Sequence, residues 1–166
     1  MSWETAGSIG EVIGAIVLIV TIVYMALQTR HAKQATIDQN ILARAKSVQD
    51  QMLVIAENEE LRMALIRNYG VVDFYEQLAL EQGVTIEEAS QVDWANAYWF
   101  WVHWGQWAST HSAKELRELE NIIGAFYGVG GMRNTWNSSP WGKPILDPEF
   151  VSFVENVLSK HVEPNS

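Results

Sequence analysis

The sequence contains no cysteine, only four prolines and few basic residues. Without cysteine, disulfides, thiol nucleophiles, iron–sulfur clusters and cysteine-ligated zinc sites are excluded. Because 11 Lys and Arg residues stand against 20 Asp and Glu residues, with a formal net charge of -9, the chain lacks the basic surface that binds phosphates. Nucleic acid is therefore not an expected partner. Strand-like runs between turn signals are scarce, which predicts an all-α fold.

Motifs for catalysis and metal binding are missing as well. The four histidines (His31, His103, His111 and His161) include no pair at the spacing of a helical metal site, and there is no His-Glu-x-x-His. The glycine-rich segment 128–133 follows no predicted strand and lacks the Gly-Lys-Ser/Thr of a phosphate loop. We therefore expect no metal, no cofactor and no enzymatic activity.

A long apolar run, residues 9–27, is the strongest single feature of the sequence. At 1.5 Å per residue these 19 residues span roughly 28 Å, close to the hydrocarbon thickness of a bilayer. Between Val12 and Leu27 there is no charged residue. The alternative, a cleaved signal peptide, needs a basic start and a small-residue cleavage site, and the sequence has neither. The run predicts an uncleaved transmembrane helix.

The flanks of this run predict its orientation. Arg30 and Lys33 follow it, whereas no Lys or Arg precedes it, so the positive-inside rule places the larger part of the chain in the cytoplasm. We predict an extracytoplasmic N-terminus (1–8), a transmembrane helix (9–27), a helical stalk (28–57) and a cytoplasmic helical domain (58–166), in a bacterial inner membrane.

The predicted anchor has two unlike faces. One is bulky and suited to lipid, and the other is small and polar. The second face predicts contact with a helix of another chain, most simply a second copy, with another membrane protein as the alternative; its residues are Gly7, Gly10, Glu11, Gly14, Leu18, Thr21 and Gln28. Glu11 could form a ring of carboxylates that binds ions, or it could lie at headgroup level, where the helix N-terminus favours it.

Apolar residues continue at three- and four-residue steps from Ile37 to Ile55, without proline or glycine between 28 and 57. This pattern predicts that the anchor helix continues into the stalk. Its apolar stripe could form a coiled-coil seam between copies or a docking face for the body, and we favour docking.

The remaining sequence contains clear helix signals. Asn58 could cap a helix that ends near Gly70, and Thr85 with Glu88 forms a capping box. Ser112 begins a second capping box, for a helix that ends near 123. Glycines at 128–131 predict a break and a short turn through 136. Asp147-Pro148 then starts a final helix that ends near 161.

Residues 94–107 are unusually rich in aromatic side chains. On a helix these side chains spread around much of the circumference, so we expect part of them at a surface or a pocket; the candidates are Trp94, Tyr98, Trp101, Trp104 and Trp107. Three interpretations stay open: a central helix buried on most sides, an interface with another protein, or a pocket for an aromatic or cationic ligand.

The chain also resembles a large group of uncharacterised bacterial proteins that have one N-terminal span and a small helical body. The resemblance lies in Ser8–Glu11, Gly14-Ala15, Thr21, Tyr24, Ala26, Gln28, Arg30, Asn58–Leu61, Gly131-x-Arg133-x-x-Trp136 and Asp147–Phe150. It implies a bacterial inner-membrane location and no particular chemistry.

Taken together, these features predict a membrane-anchored assembly protein that forms a homo-oligomer through the small, polar face of its anchor. One alternative is an oligomeric ion or proton channel that uses Glu11. A second alternative is a sensor that binds a ligand beside the tryptophan-rich helix.

Overall fold

The structure, a computed structural model, describes the backbone of residues 3–128 and 130–161 and the side chains of residues 11–128 and 130–160. The chain divides into two compact units, residues 1–40 and 41–166. The boundary between them falls within the predicted stalk.

The predicted all-α fold is confirmed, and the described residues contain no strand. The helices, in chain order, are α1 (Trp3–Glu57), α2 (Glu59–Asn68), α3 (Val72–Gln82), α4 (Ile86–Ser109), α5 (Ala113–Tyr127), α6 (Gly130–Ser138) and α7 (Pro148–His161), with a short 3-10 helix (Lys143–Ile145) before α7. The predicted continuation of the anchor helix into the stalk is confirmed, because α1 runs without interruption to Glu57.

Within the first unit, the apolar run is helical and uncovered. Among the described residues, α1 is the one helix long and apolar enough to cross a membrane, with a mean hydropathy of 2.3 over 18 residues and none of that window buried. The helix meets this criterion by its length and composition.

Within the second unit, the main hydrophobic core lies around α4. It receives Ala45, Met52, Ile55 and Ala56 from the last part of α1, with Ile41 and Val48 packed against it. The stripe that was predicted on the stalk therefore docks against the body from Ile41 onward. The other core residues come from α4, α5, α6, α7 and the loop before α7: Trp94, Ala97, Phe100, Trp101, Trp104, Leu119, Ile123, Tyr127, Met132, Trp136, Leu146, Phe150, Val154, Val157 and Leu158.

A second, smaller core lies between α2, α3 and the first turns of α4. Its buried members are Ile66, Tyr75, Leu78, Ala79 and Ala89. We refer to residues 59–82, which make up α2 and α3, as the α2–α3 lobe. Together with the first turns of α4, the lobe forms a second packing unit within the body.

The predicted caps explain where several helices begin. Asn58 Oδ1 accepts a hydrogen bond from Leu61 N (2.9 Å). Both hydrogen bonds of the Thr85–Glu88 capping box are present. Ser112 Oγ accepts from Glu115 N (3.2 Å). At the C-terminal end of α3, Gly83 adopts a left-handed conformation (φ 67°), which glycine tolerates and which ends the helix.

The chain after α5 differs from the expected short turn. Residues 130–138 form a complete helix, α6, in which Met132, Thr135 and Trp136 are buried. Burial of this face outweighs the low helix propensity of the glycines at 130 and 131.

Helices α1 and α4 approach each other very closely where Ala45 meets Gly105. A Cβ atom placed on Gly105 would lie 2.8 Å from Ala45 Cβ. Ala45 is 1% exposed, and its side chain cannot rotate away. As long as alanine occupies position 45, glycine is therefore required at 105, since any larger side chain would separate the two helices.

Candidate functional site

The structure places most of the tryptophan-rich segment inside the protein. Trp94, Trp101 and Trp104 are buried, while Tyr98 and Trp107 are half-buried against the same core. This is possible because α4 is covered by several helices, so side chains on most of its circumference have neighbours. Of the three interpretations, the structure matches the central buried helix for these residues.

Trp99 is the exception on α4, with 39% of its surface exposed. Its ring lies 5.2 Å from that of Phe126 on α5 and 6.0 Å from that of His103. Phe126 and Ile122 are themselves 39% and 43% exposed. These residues form a small apolar surface between α4 and α5, and sequence reasoning had not selected Trp99 for it.

The predicted interface residues of the anchor are exposed where the structure describes them. Glu11, Gly14, Leu18, Thr21 and Gln28 lie on the uncovered helix. Gly7 and Gly10 lie outside the residues whose side-chain surroundings are described. A Cβ atom on Gly14 would meet nothing within 4 Å.

Two polar side chains of the predicted anchor form hydrogen bonds within their own helix. Thr21 Oγ1 donates to Val17 O (2.8 Å), and Gln28 Nε2 donates to Tyr24 Oη (2.8 Å). These bonds allow both groups to enter an apolar environment at a lower cost.

The most unusual chemistry of the body is a layer of buried polar groups between the two hydrophobic cores, which we call the polar seam. It consists of the buried residues Arg62, Tyr75, Ser90, Asp93 and Ser139 and the half-buried Trp141. Sequence reasoning did not find it. Two signals were available: Asp93 is a charged residue beside an aromatic run, and Arg62 falls among apolar positions of α2.

Arg62 is 2% exposed, and its guanidinium group bonds to three backbone carbonyl oxygens and one hydroxyl group. Its guanidinium donates to Ile55 O (3.3 Å) and Ala56 O (2.6 Å) in the last turn of α1. It also donates to Ser90 Oγ (2.9 Å) and Glu87 O (3.2 Å) of α4. The planar guanidinium group thus donates to the carbonyl groups at the end of α1, which have no partner within their own helix. Its hydrogen bonds link α1, α2 and α4.

Asp93 lies at the centre of the polar seam and is 1% exposed. Tyr75 Oη donates to Asp93 Oδ2 (2.7 Å), and Trp141 Nε1 donates to Tyr75 Oη (2.8 Å). Ser139 lies close enough to influence the carboxyl group, but Asp93 Oδ1 accepts no hydrogen bond. We call the sequence of bonds from Trp141 through Tyr75 to Asp93 the Trp141 relay.

Burial controls the protonation of this relay. Desolvation raises the pKa of Asp93 to about 6, and the hydrogen bond from Tyr75 and the nearby Ser139 hydroxyl oppose that rise only in part. Burial and the neighbouring Asp93 raise the pKa of Tyr75 far above its usual range. The Tyr75 hydroxyl therefore keeps its proton and remains a donor.

Trp141 is held by more than its hydrogen bond. Its ring stacks on Trp94 with centroids 4.6 Å apart, and it makes an edge contact with Tyr69 at the end of α2 (5.2 Å). The side chain thereby attaches the loop after α6 to α2, α3 and α4.

The raised pKa of Asp93 leads to a prediction for Asp93→Asn. The folded protein holds this proton more tightly than the unfolded chain. Protonation of Asp93 therefore makes its full contribution to the free energy of unfolding below about pH 4, and this contribution is lost as the pH rises through 6. The loss approaches about 3 kcal/mol, at 1.36 kcal/mol per pKa unit. We expect Asp93→Asn to raise the unfolding temperature at pH 8 and to change it little at pH 4. Thermal unfolding followed by circular dichroism measures this, with exposed Asp73→Asn as the control.

His103 is a second buried titratable group, 2% exposed, on the other side of α4. Its Nδ1 lies 3.1 Å from Tyr127 Oη. Burial lowers the pKa of His103 to about 4 and raises that of Tyr127 well above its ordinary value. Both groups are therefore neutral at pH 7.

The pH dependence that His103 contributes has the opposite sign to that of Asp93. The folded protein binds this proton less tightly than the unfolded chain, so stability is present above pH 6.5 and is lost as the pH falls toward 4. In the wild type, the free energy of unfolding should fall by about 3 kcal/mol between pH 6.5 and pH 4 because of His103. We expect His103→Asn, which can keep a polar atom near Tyr127, to abolish this fall. Denaturant unfolding at a series of pH values gives this slope; an unchanged slope contradicts the prediction.

Two adjoining depressions lie between α3 and α6. The larger has a volume of about 330 Å³, and the smaller, about 200 Å³, shares Leu78, Glu81 and Ser138 with it. The remaining lining residues are Phe74, Gln77, Gln82, Asn134 and Asn137. Glu81 is the one charged side chain in this lining. Within the part of the chain that the structure describes, no three His, Asp or Glu side chains come together as a metal site.

Comparison with protein-family models, with curated proteins and with solved structures finds no match. The resemblance to uncharacterised bacterial membrane proteins therefore stays a prediction.

Proposed function

We propose that the protein is a single-pass membrane-anchored assembly protein with an all-helical cytoplasmic domain, and that it forms a homo-oligomer through the small, polar face of its anchor. One observation carries the proposal. From Val12 to Leu27 every large apolar side chain is between 49 and 62% exposed, whereas the body buries its own aromatic residues. A helix that exposes this much apolar surface needs an apolar environment.

The free energy of membrane insertion also favours a bilayer location for the apolar run. Ten residues between Val12 and Leu27 are Val, Ile or Leu. At about 0.3–0.6 kcal/mol each, they favour insertion by roughly 3–6 kcal/mol. The hydrogen bonds of Thr21 and Gln28 within the helix lower the opposing cost of their polar groups.

The orientation is proposed from charge. Arg30 and Lys33 directly follow the apolar run, and basic residues beside a span favour the cytoplasmic side. The C-terminal body would then lie in the cytoplasm of a bacterial cell, consistent with the lack of cysteine.

Self-association is proposed from the shape of the anchor. Gly14 leaves open space beside the backbone, where another helix can approach closely. Its neighbours on the same face include Gly7, Gly10 and Thr21, which are also small. In lipid, close packing of this kind is a main source of helix association, because hydrocarbon gives no hydrophobic drive.

The absence of cysteine allows a direct test of anchoring and orientation. Ser8→Cys and Ser152→Cys each introduce one thiol, before the span and on α7 respectively. In intact bacterial cells, a membrane-impermeant maleimide should label only Ser8→Cys, and lysis should expose Ser152→Cys. Release of the chain from membranes by alkaline carbonate, or loss of the N-terminal residues by processing, contradicts the anchor.

Native mass spectrometry of the full chain in mild detergent tests the oligomer. We expect a homo-oligomer for the wild type and at least a tenfold weaker association for Gly14→Leu, which fills the small face. Ile16→Leu, on the bulky face, is the matched control and should associate as the wild type does. A monomeric wild type, or equal behaviour of both variants, rules out this interface.

A further inference from the structure

One of the contacts that attach the α2–α3 lobe to the rest of the body runs through a buried carboxyl group, that of Asp93. The lobe shares a small core with Ala89 of α4, distinct from the main core around α4, against which Leu65 of α2 also packs. The Trp141 relay crosses between these cores, because Tyr75 belongs to the lobe, Asp93 to α4 and Trp141 to the loop after α6. A change in the charge of Asp93 therefore alters hydrogen bonds at the boundary between two packing units.

The hydrogen bonds around Asp93 suit its protonated form better than its ionised form. Oδ2 accepts from Tyr75, but Oδ1 is buried and accepts nothing. A carboxylate needs several donors to replace its hydration, whereas a carboxylic acid carries no net charge into the apolar surroundings of Trp94 and Trp141.

We propose that the Trp141 relay is a proton-operated latch: protonated Asp93 holds the α2–α3 lobe and the loop 139–146 against α4, and loss of its proton loosens both.

None of the described groups that face Asp93 changes its charge in the pH range of the proposed latch, so the protonation of Asp93 determines its state. From α3 comes Tyr75, which stays protonated. From the loop come Ser139 and Trp141, which carry no charge. From α2 comes Arg62, whose charge acts on Tyr75 and which is held by carbonyl groups. Among the described residues packed against this site, Asp93 is thus the group that titrates between pH 4 and 7.

Loosening lets water reach the carboxylate, so opening and proton loss favour each other. The opening equilibrium should rise about tenfold per pH unit between the pKa of a solvated aspartate, 3.8, and the raised pKa of about 6. Above that it should level off. The latch is accordingly closed in acid and looser at neutral pH.

Hydrogen–deuterium exchange of the full chain in mild detergent, followed by mass spectrometry, tests this. Exchange is measured from pH 4 to 7.5, and the rates are corrected for the intrinsic pH dependence of amide exchange. Peptides from 59–82 and 139–146 should lose protection by roughly thirtyfold between pH 4 and 6 and then level off. Peptides from α5 and α7 should not follow this curve, because in global unfolding the opposite pH dependence of His103 offsets that of Asp93.

Two variants identify the responsible group. Asp93→Asn keeps an acceptor for Tyr75 but cannot ionise, and it should hold both segments protected at every pH. Tyr75→Phe removes a hydrogen bond that lowers the pKa of Asp93, and it should move the levelling point to higher pH. The exposed control Asp73→Asn should behave as the wild type does.

His103 cannot produce the same pattern, since it loosens the protein in acid rather than toward neutral pH. The latch is overturned if the 59–82 peptides show no pH-dependent change. It is equally overturned if Asp93→Asn retains the change, or if all parts of the body lose protection together, which is global unfolding.

Discussion

Replacing Trp136 with alanine is expected to destabilise the body by about 3–5 kcal/mol. Trp136 is completely buried, and its ring contacts those of Phe100 and Tyr127, both at 5.2 Å. Its Nε1 also donates to Glu155 Oε1 (2.8 Å). The substitution would leave a large cavity at the point where α4, α5, α6 and α7 meet, and it would remove a hydrogen bond that joins α6 to α7.

Denaturant unfolding followed by circular dichroism measures this loss. Trp99→Ala is the matched control, since it removes the same side chain from a position that is 39% exposed. We expect the control to cost about 1 kcal/mol, because surface truncations leave no sealed cavity. Equal losses in the two variants would mean that the aromatic core around Trp136 is not packed as described.

Replacing Arg62 with methionine is expected to cost about 3 kcal/mol. Methionine retains most of the apolar stem, but it cannot donate to Ile55 O, Ala56 O or Glu87 O. A buried polar group left without a partner costs about 1–3 kcal/mol, and at least the two carbonyls at the end of α1 would be left so.

The control for this variant lies on the same helix. Arg67 is exposed in the last turn of α2, so Arg67→Met should change the free energy of unfolding by less than about 0.5 kcal/mol. The same denaturant experiment measures both. A loss at position 62 no greater than at position 67 would mean that the guanidinium does not hold the end of α1.

The elements that the sequence predicted correctly depend on short-range chemistry. The caps at Asn58, Thr85 and Ser112 each bond to a backbone N–H three residues away, so residue spacing is sufficient to find them. The long uninterrupted α1 follows in the same way from the absence of proline and glycine between 28 and 57.

The polar seam could not be found by such spacing. Tyr75 meets Asp93 across 18 residues, Arg62 meets Ser90 across 28, and Trp141 meets Tyr75 across 66. These pairs exist only after the helices have packed, because nothing in the local pattern of either partner specifies the other. The start of α3 was missed for a related reason: Val71 at its N-cap forms no side-chain hydrogen bond, so packing rather than capping places it.

The circumference of α4 shows how packing resolves an ambiguous pattern. Aromatic residues on several faces of one helix predicted that some would reach a surface. In the structure Trp94, Trp101 and Trp104 are buried, and Trp99 is the exposed tryptophan of this segment. The number of helices that surround α4 decided the outcome, and a single sequence does not reveal that number.

The contact between Ala45 and Gly105 also limits how the sequence can vary over evolutionary time. Because the two positions share one small space, a methyl group gained at 105 is tolerable when one is lost at 45. Genetic selection for suppressors of a damaging Gly105→Ala should therefore return Ala45→Gly, despite the roughly 1 kcal/mol that glycine costs within a helix. Homologous chains should keep the combined volume of the two residues nearly constant while the individual residues exchange.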